Sequence, residues 1–108
     1  MHHARAGART AEVLMRSRYS AFACALGAYL LDTWHPSTRP ARLDLDPGLE
    51  WRRLQIRDRS AGGEQDPDGT VSFVAHFYDT RRREYGRLVE TSRFIREDGR
   101  WLYLEAVA

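Results

Sequence analysis

Lysine is missing from this chain: all 17 of its basic residues are arginine. A codon bias of a GC-rich genome accounts for that, although guanidinium also suits planar, bidentate partners. Against 15 acidic residues the formal net charge is only +2, and the arginines are spread from Arg5 to Arg100. That is a weak electrostatic footprint for nucleic acid, which is set aside as a partner. Cysteine is nearly absent as well. Cys24 alone excludes an internal disulfide and a multi-cysteine zinc site, and its default reading is a small buried thiol. No apolar run approaches the roughly 18 residues of a membrane span, and the start, MHHARAGART, has no apolar secretory core. The chain therefore reads as a cytoplasmic protein with no membrane, metal or cofactor signal.

What remains suits one soluble domain. With 108 residues, 43% apolar and 30% charged, the chain is long enough for one core and too short for two. Residues 1–9 are small and basic without periodicity, a flexible tail, and 10–108 form the single domain. His2 and His3 in that tail have no third ligand in sight, so they predict no metal site.

The strongest pattern is Thr10 to Pro40. Thr10 is a good N-cap and Glu12 places a negative charge in the first turn of a helix running to about Ala25. Gly27 marks a break, and Ala28 to Thr33 resume as a second helix that ends at Trp34-His35-Pro36. On a helical wheel Ala11, Leu14, Met15, Ala21, Phe22, Ala25, Leu26 and Tyr29 fill an arc of about 140°. Arg18 falls near the middle of that apolar arc.

Residues 36–48 hold three of the four prolines and read as an ordered connection, tacked down by Leu43 and Leu45. After it the period becomes two. Trp51 to Asp58 is a first strand with Leu54 and Ile56 on one face; Trp51 falls on the other, which predicts a twist or bulge at the start. Residues 60–69, SAGGEQDPDG, form an exposed hairpin loop. Thr70 to Tyr78 is a second strand with Val71, Phe73, Ala75 and Phe77 together. Tyr85 to Arg96 is a long third strand presenting Leu88, Glu90, Ser92 and Phe94 on one side. Asp98-Gly99 is a two-residue turn, and Arg100 to Val107 a last strand with Trp101 and Tyr103 facing inward. Helices followed by antiparallel strands predict an α+β domain, a curved sheet of about four strands with the helices on one face.

Four segments, TAEVLMRSRYSAF, YLLDTWHPSTRP, VSFVAHF and SRFIREDGRWLY, together resemble the YchJ-like family of uncharacterised bacterial proteins, with the likeness running from Thr10 to Glu105. The resemblance implies a nuclear transport factor 2-like cone, in which a bent sheet wraps the helices around a cavity. Longer members carry a SEC-C module with a zinc-binding cysteine cluster before the helix. No such cluster precedes the helix here, so its zinc and partner contacts are not transferred. Val89 stands where relatives often have histidine, and Ala106 where they often have glycine.

A guanidinium on an apolar helix face needs an anion or several acceptors. Glu90, on the strand face shared with Phe94, is the nominated counter-charge, giving a buried Arg18–Glu90 bridge that locks helix to sheet. The alternative is that Arg18 faces the cavity and grips a ligand carboxylate or phosphate. Tyr19, Trp34, Tyr78, Trp101 and Tyr103 supply aromatic surface around such a cavity, with packing the simpler role for Trp101. The favoured function is a non-catalytic module binding a small ligand or a protein. It pairs with a second copy through the open sheet face of Val89, Thr91, Arg93 and Ile95, by analogy with the superfamily. The competing function is an isomerase or dehydratase, since enzymes of that kind share the cone. It would use His35 with Glu90 or Asp32 in a cavity oriented by Arg18.

Overall fold

The computed structural model describes residues 8–108. The expected tail thus lies largely outside the described residues, as do His2 and His3. Two helices, α1 (Ala11–Ala23) and α2 (Gly27–Asp32), precede four strands: β1 (Leu49–Ala61), β2 (Asp68–Asp79), β3 (Glu84–Glu97) and β4 (Arg100–Ala106). The strands form one antiparallel meander in the order β1-β2-β3-β4. This is the α+β arrangement the residue pattern predicts.

Helix α1 starts where its cap dictates. Thr10 Oγ1 accepts a hydrogen bond from the Val13 amide at 3.1 Å, and the Ala11 amide donates to the Gly62 carbonyl at 3.0 Å. The helix start is thereby fixed to the β1–β2 hairpin. Gly62 and Gly69 cross so closely that a Cβ on Gly69 would lie 2.4 Å from Gly62 backbone atoms, which is why glycine is needed there. Ala8 packs against the core, and the Arg9 carbonyl accepts from Trp101 Nε1 at 3.2 Å.

The other end of α1 differs from expectation. The helix stops at Ala23, two residues early, in a Schellman cap: the Leu26 amide donates to the Ala21 carbonyl at 2.8 Å and the Ala25 amide to the Phe22 carbonyl at 3.2 Å. Ala25 takes the left-handed position with φ 56°, and Gly27 opens α2 rather than ending α1. Cys24 consequently sits on the surface as a free thiol, correcting its reading as buried. Ala25 and Leu26 are exposed too, whereas Ala11, Leu14, Met15, Arg18 and Ala21 are buried as the wheel requires.

The sheet is bent around α1. In β1 the pairing slips between Trp51 and Arg53 and again between Ile56 and Asp58. The first bulge absorbs Arg52, so Trp51 opposite Phe77 joins Leu54 and Ile56 on the inner face. Ala11, Leu14 and Met15 meet Val71, Phe73, Ala75, Phe94 and Trp101 in the core. Asp98 and Gly99 both have positive φ, 53° and 76°, as the tight β3–β4 turn demands. After α2 the chain returns to the sheet. The Tyr103 amide donates to the Thr33 carbonyl and the His35 amide to the Tyr103 carbonyl, both at 2.8 Å, making a parallel bridge that covers the free edge of β4.

Candidate functional site

The concave side of the sheet and the helices enclose a cavity of about 140 Å³. Met15, Arg18, Tyr19 and Phe22 reach it from α1, Trp51 from β1, Phe73 and Ala75 from β2, Leu88, Glu90 and Ser92 from β3, and Trp34 and Tyr103 from the edge bridge. Leu88, 41% exposed, stands at its rim. Among the candidate residues, Arg18, Tyr19, Trp34, Glu90 and Tyr103 are therefore brought together. Trp51, Phe73 and Ser92 join them. Trp51 is placed there by the bulge.

Arg18 is 3% exposed. Its Nη1 donates to the Leu30 carbonyl at 2.8 Å and to Thr33 Oγ1 at 2.7 Å. Thr33 passes its own proton to the Tyr29 carbonyl at 2.8 Å, so it is free to accept. The guanidinium carbon lies 4.6 Å from the centre of the Tyr103 ring and 5.3 Å from that of Trp34, within cation–π range. Burial pulls its pKa well below the usual guanidinium value, to about 10, with Tyr103, Tyr29 and Glu90 opposing the fall. It remains a cation at neutral pH. The expected Arg18–Glu90 bridge does not form: α1 places the guanidinium against the turn after α2, where a carbonyl, a hydroxyl and two rings satisfy it. Among the described residues, no acceptor pairs with its Nε or Nη2.

Glu90 lies on another part of the cavity wall and accepts from Ser92 Oγ at 2.5 Å. The alternation that placed Glu90 and Ser92 on one face was the available signal for this pair. Tyr19 Oη is buried with no hydrogen-bond partner among the described residues, and burial raises its pKa. Burial also raises that of Tyr103, Glu90 adding to the rise and Arg18 opposing it. Trp34 and Tyr103 meet edge-to-face at 5.0 Å, as do Tyr19 and Trp51 at 6.3 Å.

The remaining candidates lie elsewhere. His35 Nε2 contacts Glu97 Oε2 at 2.8 Å, while its Nδ1 accepts from the Ser37 amide at 3.0 Å. That acceptor role assigns the proton of the neutral ring to Nε2. The imidazole thus ties the exit loop to the β3–β4 turn and does not line the cavity. Asp32 pairs with Arg100 at 2.7 Å on the surface. Tyr78 meets Tyr85 edge-on at 4.9 Å, away from the cavity, and Arg52 lies 5.5 Å from its ring centre. Trp101 is core, 2% exposed. The pairing of His35 with Glu90 or Asp32 expected of an isomerase or dehydratase is therefore not assembled. Among the described residues no group of three His, Cys, Asp or Glu side chains is placed to hold a metal ion, and no helix is long and apolar enough to cross a membrane.

Comparison with known proteins agrees with the α+β fold. The chain is 51% identical over 104 residues to a UPF0225 protein of Streptomyces coelicolor, covering 96% of this chain and 79% of that one. It is 50% identical over 103 residues to a UPF0225 protein of Chromobacterium violaceum, covering 93% and 75%. A solution structure of a SEC-C motif containing protein from Rhodopseudomonas palustris superimposes with a TM-score of 0.81 at 30% identity, over 94% of this chain and 80% of that one. A crystal structure of a SEC-C motif containing protein from Psychrobacter arcticus gives 0.73 at 25% identity, over 92% and 60%. Residues 10–106 match the family model of the YchJ middle NTF2-like domain, and with the helix-lined cavity on the concave sheet this chain belongs to the YchJ family as an NTF2-like domain.

Proposed function

We propose that the domain is a non-catalytic binding module whose ligand is a small ring compound held in the concave cavity. The observation that carries this reading is a nearly fully buried arginine whose Nε and Nη2 donors have no acceptor among the described residues, beside a space walled by Tyr19, Phe22, Trp34, Trp51 and Tyr103. A volume of about 140 Å³ suits one ring, since an engineered apolar cavity of about 150 Å³ takes a benzene. Catalysis by paired acid and base is disfavoured because Glu90 has no histidine or second carboxylate beside it in the cavity lining.

The test is titration with toluene and phenol followed by amide chemical shifts. Saturable shifts confined to the cavity wall, and lost in Leu88→Trp at the rim, are expected. Absence of any saturable shift would sink the reading. A second copy packing on the open sheet face is the accompanying proposal. Val89 is 63% exposed there and Tyr85 74%; sedimentation should show a dimer that Val89→Arg weakens, and a wild-type monomer would refute it.

A further inference from the structure

The charge pattern of the cavity narrows the ligand class, an inference that rests on the binding reading above. Arg18 brings one positive charge and Glu90 one negative charge to the same cavity, yet the two do not pair with each other. Each has capacity left over. Nε–H and Nη2–H of Arg18 form a flat two-donor edge, and the Glu90 carboxylate, bonded among the described residues to the Ser92 hydroxyl alone, keeps further acceptor positions. Tyr19 adds a buried hydroxyl with no partner among the described residues. The cavity is thus neutral in sum but offers donors at one place and acceptors at another, between aromatic walls.

An anionic ligand would satisfy Arg18 and face Glu90; a cationic one would satisfy Glu90 and face Arg18. In a partly enclosed, mostly apolar space the like-charge contact is penalised more than in water. A neutral group carrying an acceptor and a donor side by side meets both needs at once. From these placements we propose that the ligand is an uncharged, single-ring aromatic compound bearing a carboxamide or ring-lactam edge. Its carbonyl accepts from Arg18 and its N–H donates to Glu90. The ring lies among Trp34, Trp51 and Tyr103.

Benzoate, benzamide and benzamidine test this directly, since they share one shape and differ in charge. Calorimetric titration of the whole chain at neutral pH should give benzamide a Kd at least roughly tenfold below either ion. Glu90→Gln leaves the cavity net positive and should make benzoate the tightest of the three. Arg18→Met leaves it net negative and should favour the benzamidinium ion. Rank order within each variant is the readout, so a uniform loss of stability does not mimic it, and Glu90→Gln decides the matter if Arg18→Met fails to fold. Wild type preferring benzoate, or an unchanged ranking in Glu90→Gln, overturns the ligand class. If toluene and phenol bind while all three isosteres bind equally, the class fails and the binding module stands. If no ring compound binds, both fail together.

Discussion

Replacing Arg18 by methionine should change the folding free energy little. The fall of the guanidinium pKa from its ordinary value to about 10 corresponds to about 3 kcal/mol held against the charged form at neutral pH. Methionine relieves that and keeps an apolar stem of similar length. On the other side, the Leu30 carbonyl keeps only a long 3.4 Å contact from Thr33 Oγ1, a loss of about 1–3 kcal/mol. Two ring contacts disappear as well, about 0.5–2 kcal/mol each. At the middle of their ranges the losses exceed the gain by only about 1–2 kcal/mol, so urea unfolding of Arg18→Met should lie within about 2 kcal/mol of wild type with an unchanged slope. Arg18→Ala removes the stem too and should lose about 2–5 kcal/mol, as for other large-to-small changes in a core. If the methionine variant falls as far as the alanine one, the guanidinium is a structural lock and its spare donors carry no functional weight.

Three further outcomes follow from local geometry. Ala25, exposed and at φ 56°, pays roughly 1–2 kcal/mol for the left-handed backbone. Ala25→Gly should therefore stabilise by about 0.5–1 kcal/mol after glycine's extra chain entropy, read as a higher melting temperature. Tyr19→Phe removes a buried hydroxyl that has no partner among the described residues and should leave the free protein as stable as wild type or up to about 1–3 kcal/mol more so; a marked loss would reveal a partner. Hydrogen bonding to Arg16, opposed by burial and reinforced by Arg59, holds the Glu12 carboxyl below its ordinary value of 4.5. A depressed carboxylate stabilises above the unfolded value and loses that contribution as pH falls through the folded one. Glu12→Gln should thus lower the melting temperature at neutral pH and be silent near about pH 2.

The sheet was legible because its signals are local. Alternation placed Val71, Phe73 and Ala75 inward, and Asp98-Gly99 announced its turn. The bulge behind Trp51 was visible as a break in the same alternation. Arg18 stood out on the wheel, and Tyr19, Trp34, Glu90 and Tyr103, nominated beside it, line the same cavity, whereas Tyr78 and Trp101 do not. Its actual acceptors were not legible. A main-chain carbonyl such as that of Leu30 has no sequence signature, and Thr33 accepts only because α2 ends there. Glu90 was the nearest formal counter-charge in the pattern, but carbonyl and hydroxyl oxygens reached the guanidinium first. His35 misled because its type suggests chemistry, whereas its surroundings, Glu97 and Ser37, make it a tie between loop and turn. The early stop of α1 was hidden because alanine fills the left-handed position where glycine would have marked it.

The parallel bridge at Trp34 gives the cavity a further property. The residues that close the sheet edge, Trp34 and Tyr103, are also two of its aromatic walls. Opening of the 33–39 segment would therefore expose the ring seat and unzip the edge in one event. Any occupant that touches these rings raises the free energy of that local opening by mass action. Proton–deuterium exchange at the His35 and Tyr103 amides, each bonded across the bridge, then reads ligand occupancy from the outer rim of the sheet.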